Sequence, residues 1–156
     1  FIPAQKGKTH VLHIIRELLS LEPTSKGTNV AQALQYFTNA QKRHCTAFLI
    51  SDFIGSGNMY QPLMIASNRH EVNAIQIYDR REAELPNIGL AKFHDAETGN
   101  DIWVDTAIRS VRDAYAKAWR TNQEQIEQLF TRTGVNQVSV RTDEDYVKAL
   151  MHLFKC

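Results

Sequence analysis

Two oxygen-bearing side chains in separate loops carry the best prospect of chemistry in this sequence. Asp52 follows the apolar run Ala47-Phe48-Leu49-Ile50-Ser51. It therefore stands just beyond the carboxyl end of a strand, where open α/β sheets place their ligands. Ser25-Lys26-Gly27-Thr28-Asn29 puts further hydroxyls in a loop at the start of the helix that comes immediately before that strand in the chain. A hydroxyl and a carboxylate from neighbouring loops are hard oxygen donors of the kind Mg²⁺ accepts, with water filling most of its octahedron. Each residue also has a purely structural reading. Asp is common in the turn after a strand, and Thr28 suits the N-cap of the helix that follows. Capping and ligation are not exclusive, so Thr28 and Asp52 stand as candidate metal ligands, with Ser25, Asn29 and Ser51 beside them. Asp79 ends another strand at the same edge; it reads first as a turn residue and second as part of the site's rim.

Other chemistry fails on spacing. Gly7-Lys8-Thr9 before a helix looks like the end of a phosphate loop, and the run ending at Asp52 looks like the magnesium-holding strand of such ATPases. A phosphate loop needs a Gly five residues before Gly7, where this chain has Ile2, and the adjacent Pro3 has no N–H to offer a phosphate. A polar turn followed by a helix cap accounts for the same residues. The six histidines show no zinc-like spacing with Cys45 or Cys156. There is no Gly-x-Ser-x-Gly elbow, and Ile54 occupies the position where an Asp-x-Asp phosphotransfer pair would need its second carboxylate.

The elements that must position these residues are legible from periodicity. Val11, Leu12, Ile14, Ile15, Leu18 and Leu19 have helical spacing, with Thr9 or His10 near the cap. Glu22 to Gly27 reads as a loop, and Thr28 caps a helix from Asn29 to about Gln41. Cys45 to Ser51 is an apolar run expected of a strand buried on both faces. A turn at Gly55 to Asn58 leads to a helix from Tyr60 to about Asn68, then to a strand from Val72 to Tyr78. Ile88 to His94 and Asp101 to Val104 flank the polar turn Asp95 to Asn100 as a β-hairpin. Thr106 caps a long helix that Gly134 ends, with Trp119 in the core; Gln137 to Val140 is a last short strand. Thr142 and Asp145 resemble a capping box for a helix reaching Phe154. The sum is a single three-layer α/β domain over residues 1–156, with a mostly parallel sheet flanked by helices and one hairpin.

Composition narrows the functional class. A chain of 156 residues with 43% hydrophobic and 22% charged residues is enough for one folded core. Eighteen Lys and Arg against 17 Asp and Glu leave a formal charge of +1, far from the basic excess that neutralising several phosphates requires, so nucleic acid is not a predicted partner. No stretch approaches the ~18 consecutive apolar residues of a membrane span. Two cysteines, one of them the last residue, fit a reducing, cytoplasmic setting. The chain begins at Phe1 on an apolar pair, which suggests a piece of something longer.

The residues also carry a resemblance. Gly27-Thr28-Asn29-Val30 and Leu49-Ile50-Ser51-Asp52-Phe53 resemble the second and third parts of the metal-ion-dependent adhesion site of von Willebrand factor A domains. More of the chain, including His10 to Leu19, Asp79-Arg80-Arg81-Glu82, Trp103-Val104-Asp105-Thr106 and Thr142 to Val147, is similar to the bacterial domain-of-unknown-function family 58. That resemblance implies a von Willebrand A-like (Rossmann-like) fold and an interaction or scaffold module with a partial metal site binding Mg²⁺. It further implies partnership with a MoxR-type AAA+ ATPase. Only Thr28 and Asp52 match the metal site. The family's first metal motif, Asp-x-Ser-x-Ser, is absent from this sequence, so the resemblance implies an N-terminally truncated domain that binds Mg²⁺ weakly or not at all. Arg80 stands where the family commonly has Pro. Loss of a neighbouring strand would expose the edge of Cys45 to Ser51, and the fragment is then expected to self-associate. The rival reading is a Mg²⁺-dependent hydrolase or NTPase that uses Asp52 as metal ligand.

Overall fold

The computed structural model describes residues 2–3, 5–22, 28–55, 57–94 and 99–153. Ser25, the loop from Pro23 to Gly27, the turn residues Asp95 to Thr98, Phe154 and Cys156 therefore lie outside the described residues. The elements run α1 (Lys8–Ser20), α2 (Val30–Ala40), β1 (Thr46–Ser51), α3 (Tyr60–Arg69), β2 (Glu71–Tyr78), α4 (Arg80–Ala83), β3 (Leu90–His94), β4 (Asp101–Asp105), α5 (Arg109–Thr133), β5 (Asn136–Arg141) and α6 (Tyr146–Leu153). The chain is mixed α/β: a parallel sheet in the order β1-β2-β5 flanked by helices, and an antiparallel hairpin of β3 and β4.

The expected elements form, but several of their ends differ. Gly7, at φ 107°, is the N-cap of α1, ahead of the expected Thr9 or His10; a left-handed turn there suits a residue without Cβ. Asn29, and not Thr28, caps α2: its side chain accepts from the Gln32 amide at 2.9 Å. Thr106 does not cap α5, which begins after Ile108. The Thr106 side chain is instead fully buried, donating to the Gly89 carbonyl at 2.7 Å and accepting from the Ile88 amide at 2.9 Å, so that it locks the base of the hairpin. Asp145 accepts from the Val147 amide at the start of α6 without Thr142, whose hydroxyl turns to Asp79. Gly134 does end α5, its N–H bonding the Phe130 and Thr131 carbonyls from a left-handed φ of 67°.

One correction bears on the site. β1 is not buried on both faces: its residues alternate between exposed and half-buried, and Ile50 is 59% exposed. Among the described strands β1 lies at the edge of the sheet and β2 at its centre. The core lies on one side of the sheet, where Leu34 of α2, Leu63 and Ala66 of α3, and Ile126 and Phe130 of α5 meet Val72 and Ala74 of β2. Trp119 is only half-buried and packs against Tyr78 with ring centroids 5.4 Å apart. No helix among the described residues is long and apolar enough to cross a membrane.

Candidate functional site

All three parallel strands point their carboxyl ends to one edge, and β1 delivers Ser51 and Asp52 there. The turn that follows is built by side chains. Asp52 Oδ1 accepts the Ile54 amide at 3.0 Å and Ser51 Oγ accepts the Phe53 amide at 3.1 Å. Between them Phe53 is held at φ 58°, and no other non-glycine residue among those described has a positive φ. For a bulky side chain that conformation costs on the order of 1–3 kcal/mol. Burial offsets it: the Phe53 ring is 3% exposed and meets Phe130 edge-on at 5.1 Å.

A polar chain beneath the turn fixes it to the sheet. Gln76, in the middle strand and 2% exposed, donates from Nε2 to the Asp52 carbonyl at 3.3 Å and accepts from Ser139 Oγ of β5 at 3.0 Å. A buried amide is tolerable only when both its ends are engaged, and here both are. Asp52 is an exposed residue at the edge. Among the described residues its Oδ2 makes no hydrogen bond, and Ser51 Oγ lies 3.5 Å from Oδ1.

Thr28 reaches the same edge by topology. The Phe37 ring, near the end of α2, packs on His70 at the amino end of β2, with centroids 4.8 Å apart. The start of α2 therefore points back toward the carboxyl edge. Because Asn29 does the capping, the exposed Thr28 hydroxyl is not used by the helix and bonds no other described residue. Asn29 Oδ1 is correspondingly engaged by the cap. Asp79, at the end of β2, is also committed. It caps α4 through the Arg81 amide at 2.8 Å, completes a capping box with Glu82, and accepts from Thr142 Oγ1 at 3.1 Å. The Arg81 amide is the chief cause that holds the Asp79 carboxyl below its ordinary value; desolvation opposes it, and the Thr142 hydroxyl and the Arg81 charge add to it.

Among the described residues the Thr28 hydroxyl and Asp52 Oδ2 make no hydrogen bond, and both are hard oxygen donors of the type Mg²⁺ accepts. Among the described residues no three His, Cys, Asp or Glu side chains converge to share a metal ion. Next to the turn, a cavity of about 440 Å³ opens between Phe53, Gly55 and Met59 on one side and Asn122, Ile126 and Leu129 of α5 on the other. Sequence reading missed Gln76 and Ser139. Their signal was a long amide inside the apolar run Val72 to Tyr78; its serine partner in the last strand is set by register.

Comparison with known proteins gives one family. The family described as protein of unknown function DUF58 matches residues 1–125. Uncharacterized proteins of Mycobacterium tuberculosis and Mycobacterium bovis are each 31% identical over 150 residues, covering 94% of this chain and 46% of their own length. An uncharacterized protein of Mycobacterium avium is 30% identical over 158 residues, covering 99% of this chain and 92% of its own. The chain thus spans about half the length of the first of these relatives. No solved structure matches the chain significantly.

Proposed function

The chain belongs to the DUF58 family, and on that premise we propose that it is a protein-interaction module whose contact site is the carboxyl edge of the sheet. Thr28 and Asp52 would hold a divalent ion there, with Ser51 beside them. When bound, Mg²⁺ would offer an open position to an acidic group on a protein partner, for which we propose a MoxR-type AAA+ ATPase in the cytoplasm. No bond is made or broken in this reading. The observation that carries it is the Ser51-Asp52-Phe53 turn. Buried Gln76, itself held by Ser139 at an exposed position of β5, and a core phenylalanine at positive φ fix that turn, which gives an exposed carboxylate a fixed direction. Backbone strain supported by so many contacts marks positions where a site is pre-organised.

Two side-chain donors give Mg²⁺ little reason to shed water, so binding to this chain is weak. A Mg²⁺ titration followed by NMR is expected to shift Thr28, Ser51 and Asp52 together without tight saturation, and Asp52→Ala is expected to abolish the response. Shifts confined to other acidic residues would overturn the site. Binding to a MoxR-type ATPase that depends on both Mg²⁺ and Asp52 would support the partner. Turnover of ATP or a phosphate ester that Asp52→Ala removes would establish the hydrolase reading in its place.

A further inference from the structure

The amino edge of the sheet, opposite the edge of Asp52, brings a thiol and an imidazole together. The register that pairs Thr46 with Glu71 sets the residues just before them, Cys45 and His70, side by side. Cys45 Sγ lies 3.6 Å from His70 Nδ1. His70 is 3% exposed and is held by two contacts: its amide closes α3 on the Ala66 carbonyl, and its ring packs on Phe37. Among the described residues its Nε2 is buried with no hydrogen-bond partner. A buried polar atom left unpaired costs about 1–3 kcal/mol, so an imidazole kept here against a thiol calls for a chemical reason. Cys45 itself is free and only half-buried, open to a reagent from solvent.

The ground beside the thiol defines what it would accept. Side chains two residues apart on a strand share a face, so Cys45 lies in line with Ala47 and Leu49. Those two line a cavity of about 320 Å³ with Leu34, Phe37 and Val72. Phe37 joins the parts, since the same ring lines the cavity and covers His70. We propose that Cys45, His70 and this apolar groove form a covalent capture site for a soft electrophile with a hydrocarbon tail, of the α,β-unsaturated aldehyde class. Cys45 Sγ gives its proton to His70 Nδ1 and bonds the β-carbon. The C=C electron pair moves to the α-carbon, which takes the proton back from His70. No leaving group or oxidant is needed, and the alkyl tail occupies the groove. A hydrophilic disulfide would find only hydrocarbon side chains there, which is why the alkenal is the better fit.

The test uses the whole chain as Cys156→Ser, so that Cys45 is the remaining thiol, and reads adduct formation at Cys45 by mass spectrometry with 2-butenal and 2-nonenal. Relative to glutathione, 2-nonenal is expected to react about a hundredfold faster through the base. The gain over 2-butenal is expected to be at least about tenfold from the buried tail. His70→Gln, checked for folding by circular dichroism, is expected to lose the first factor and keep the second. Rates equal to glutathione for both aldehydes would overturn the proposal, as would a fast reaction indifferent to chain length. If His70→Gln fails to fold, the chain-length series on the parent chain decides alone.

Discussion

Gln76 and Asp52 are joined by a hydrogen bond of 3.3 Å from a fully buried side-chain amide to a backbone carbonyl at the sheet edge. This one contact ties the candidate site to the centre of the fold, because Ser139 holds the other end of the same amide. Gln76→Leu keeps the size but takes the side-chain donor from the Asp52 carbonyl, while the exposed Ser139 hydroxyl turns to water. The substitution is expected to cost about 1–3 kcal/mol. Urea unfolding would show a lower midpoint at unchanged slope, and an unchanged midpoint would mean that water replaces the amide.

Phe53 combines a strained backbone with a buried ring, and the two effects oppose each other on substitution. Phe53→Ala removes the contact with Phe130 and retains the positive φ, so a loss of about 3–5 kcal/mol is expected. Phe53→Gly relieves the strain and is expected to be the less destabilised of the two, although Gly otherwise raises the entropy cost of folding. Thermal denaturation of the pair measures the difference.

Asp79 titrates below the ordinary 3.8 in the folded chain. A carboxyl depressed on folding stabilises the fold above the unfolded value, and that contribution disappears as the pH falls through the folded value. The affected window therefore lies in acid, below 3.8. Thr142→Val removes one of the groups that lower it, so NMR titration is expected to find the Asp79 carboxyl closer to 3.8 in that variant.

Thr106 has a fully buried hydroxyl with a donor and an acceptor role at the hairpin base. Thr106→Val preserves shape and leaves the Ile88 amide without its partner, while the Gly89 carbonyl keeps the Thr106 backbone N–H at 2.8 Å. Amide exchange in β3 and β4 is expected to accelerate, with a stability loss of about 1–3 kcal/mol. Exchange that quickens only elsewhere would show that the hairpin is held by other contacts.

The helices α1, α3 and α5, the strands β1, β2 and β5, and the β3–β4 hairpin are readable from residue spacing, since period 3.6 and period 2 are local properties. Caps were harder to read. Thr28, Thr106 and Thr142 each have the right type at a helix start, yet Asn29 caps α2, Thr106 binds the hairpin and Thr142 binds Asp79. A hydroxyl satisfies a helix amide or a distant carboxylate equally well, and the choice rests on what the fold brings near. The short helix α4 was missed because four residues show no period; its capping box at Asp79 and Glu82 was the available signal.

The sequence by itself determined the order of helices and strands, the absence of a strong basic charge, and the placing of Asp52 at a strand end. These follow from composition and from patterns shorter than a single element. The tertiary structure decided everything that depends on register. Pairing β1 with β2 at Thr46 and Glu71 sets Cys45 against His70, 25 positions on, and pairing β2 with β5 sets Gln76 against Ser139, 63 positions on. It also put β1 at the edge of the described sheet, where an apolar run had promised burial on both faces. A run of apolar residues records that a strand is suited to cover, but which neighbours supply that cover is a property of strand order, and no local pattern encodes it.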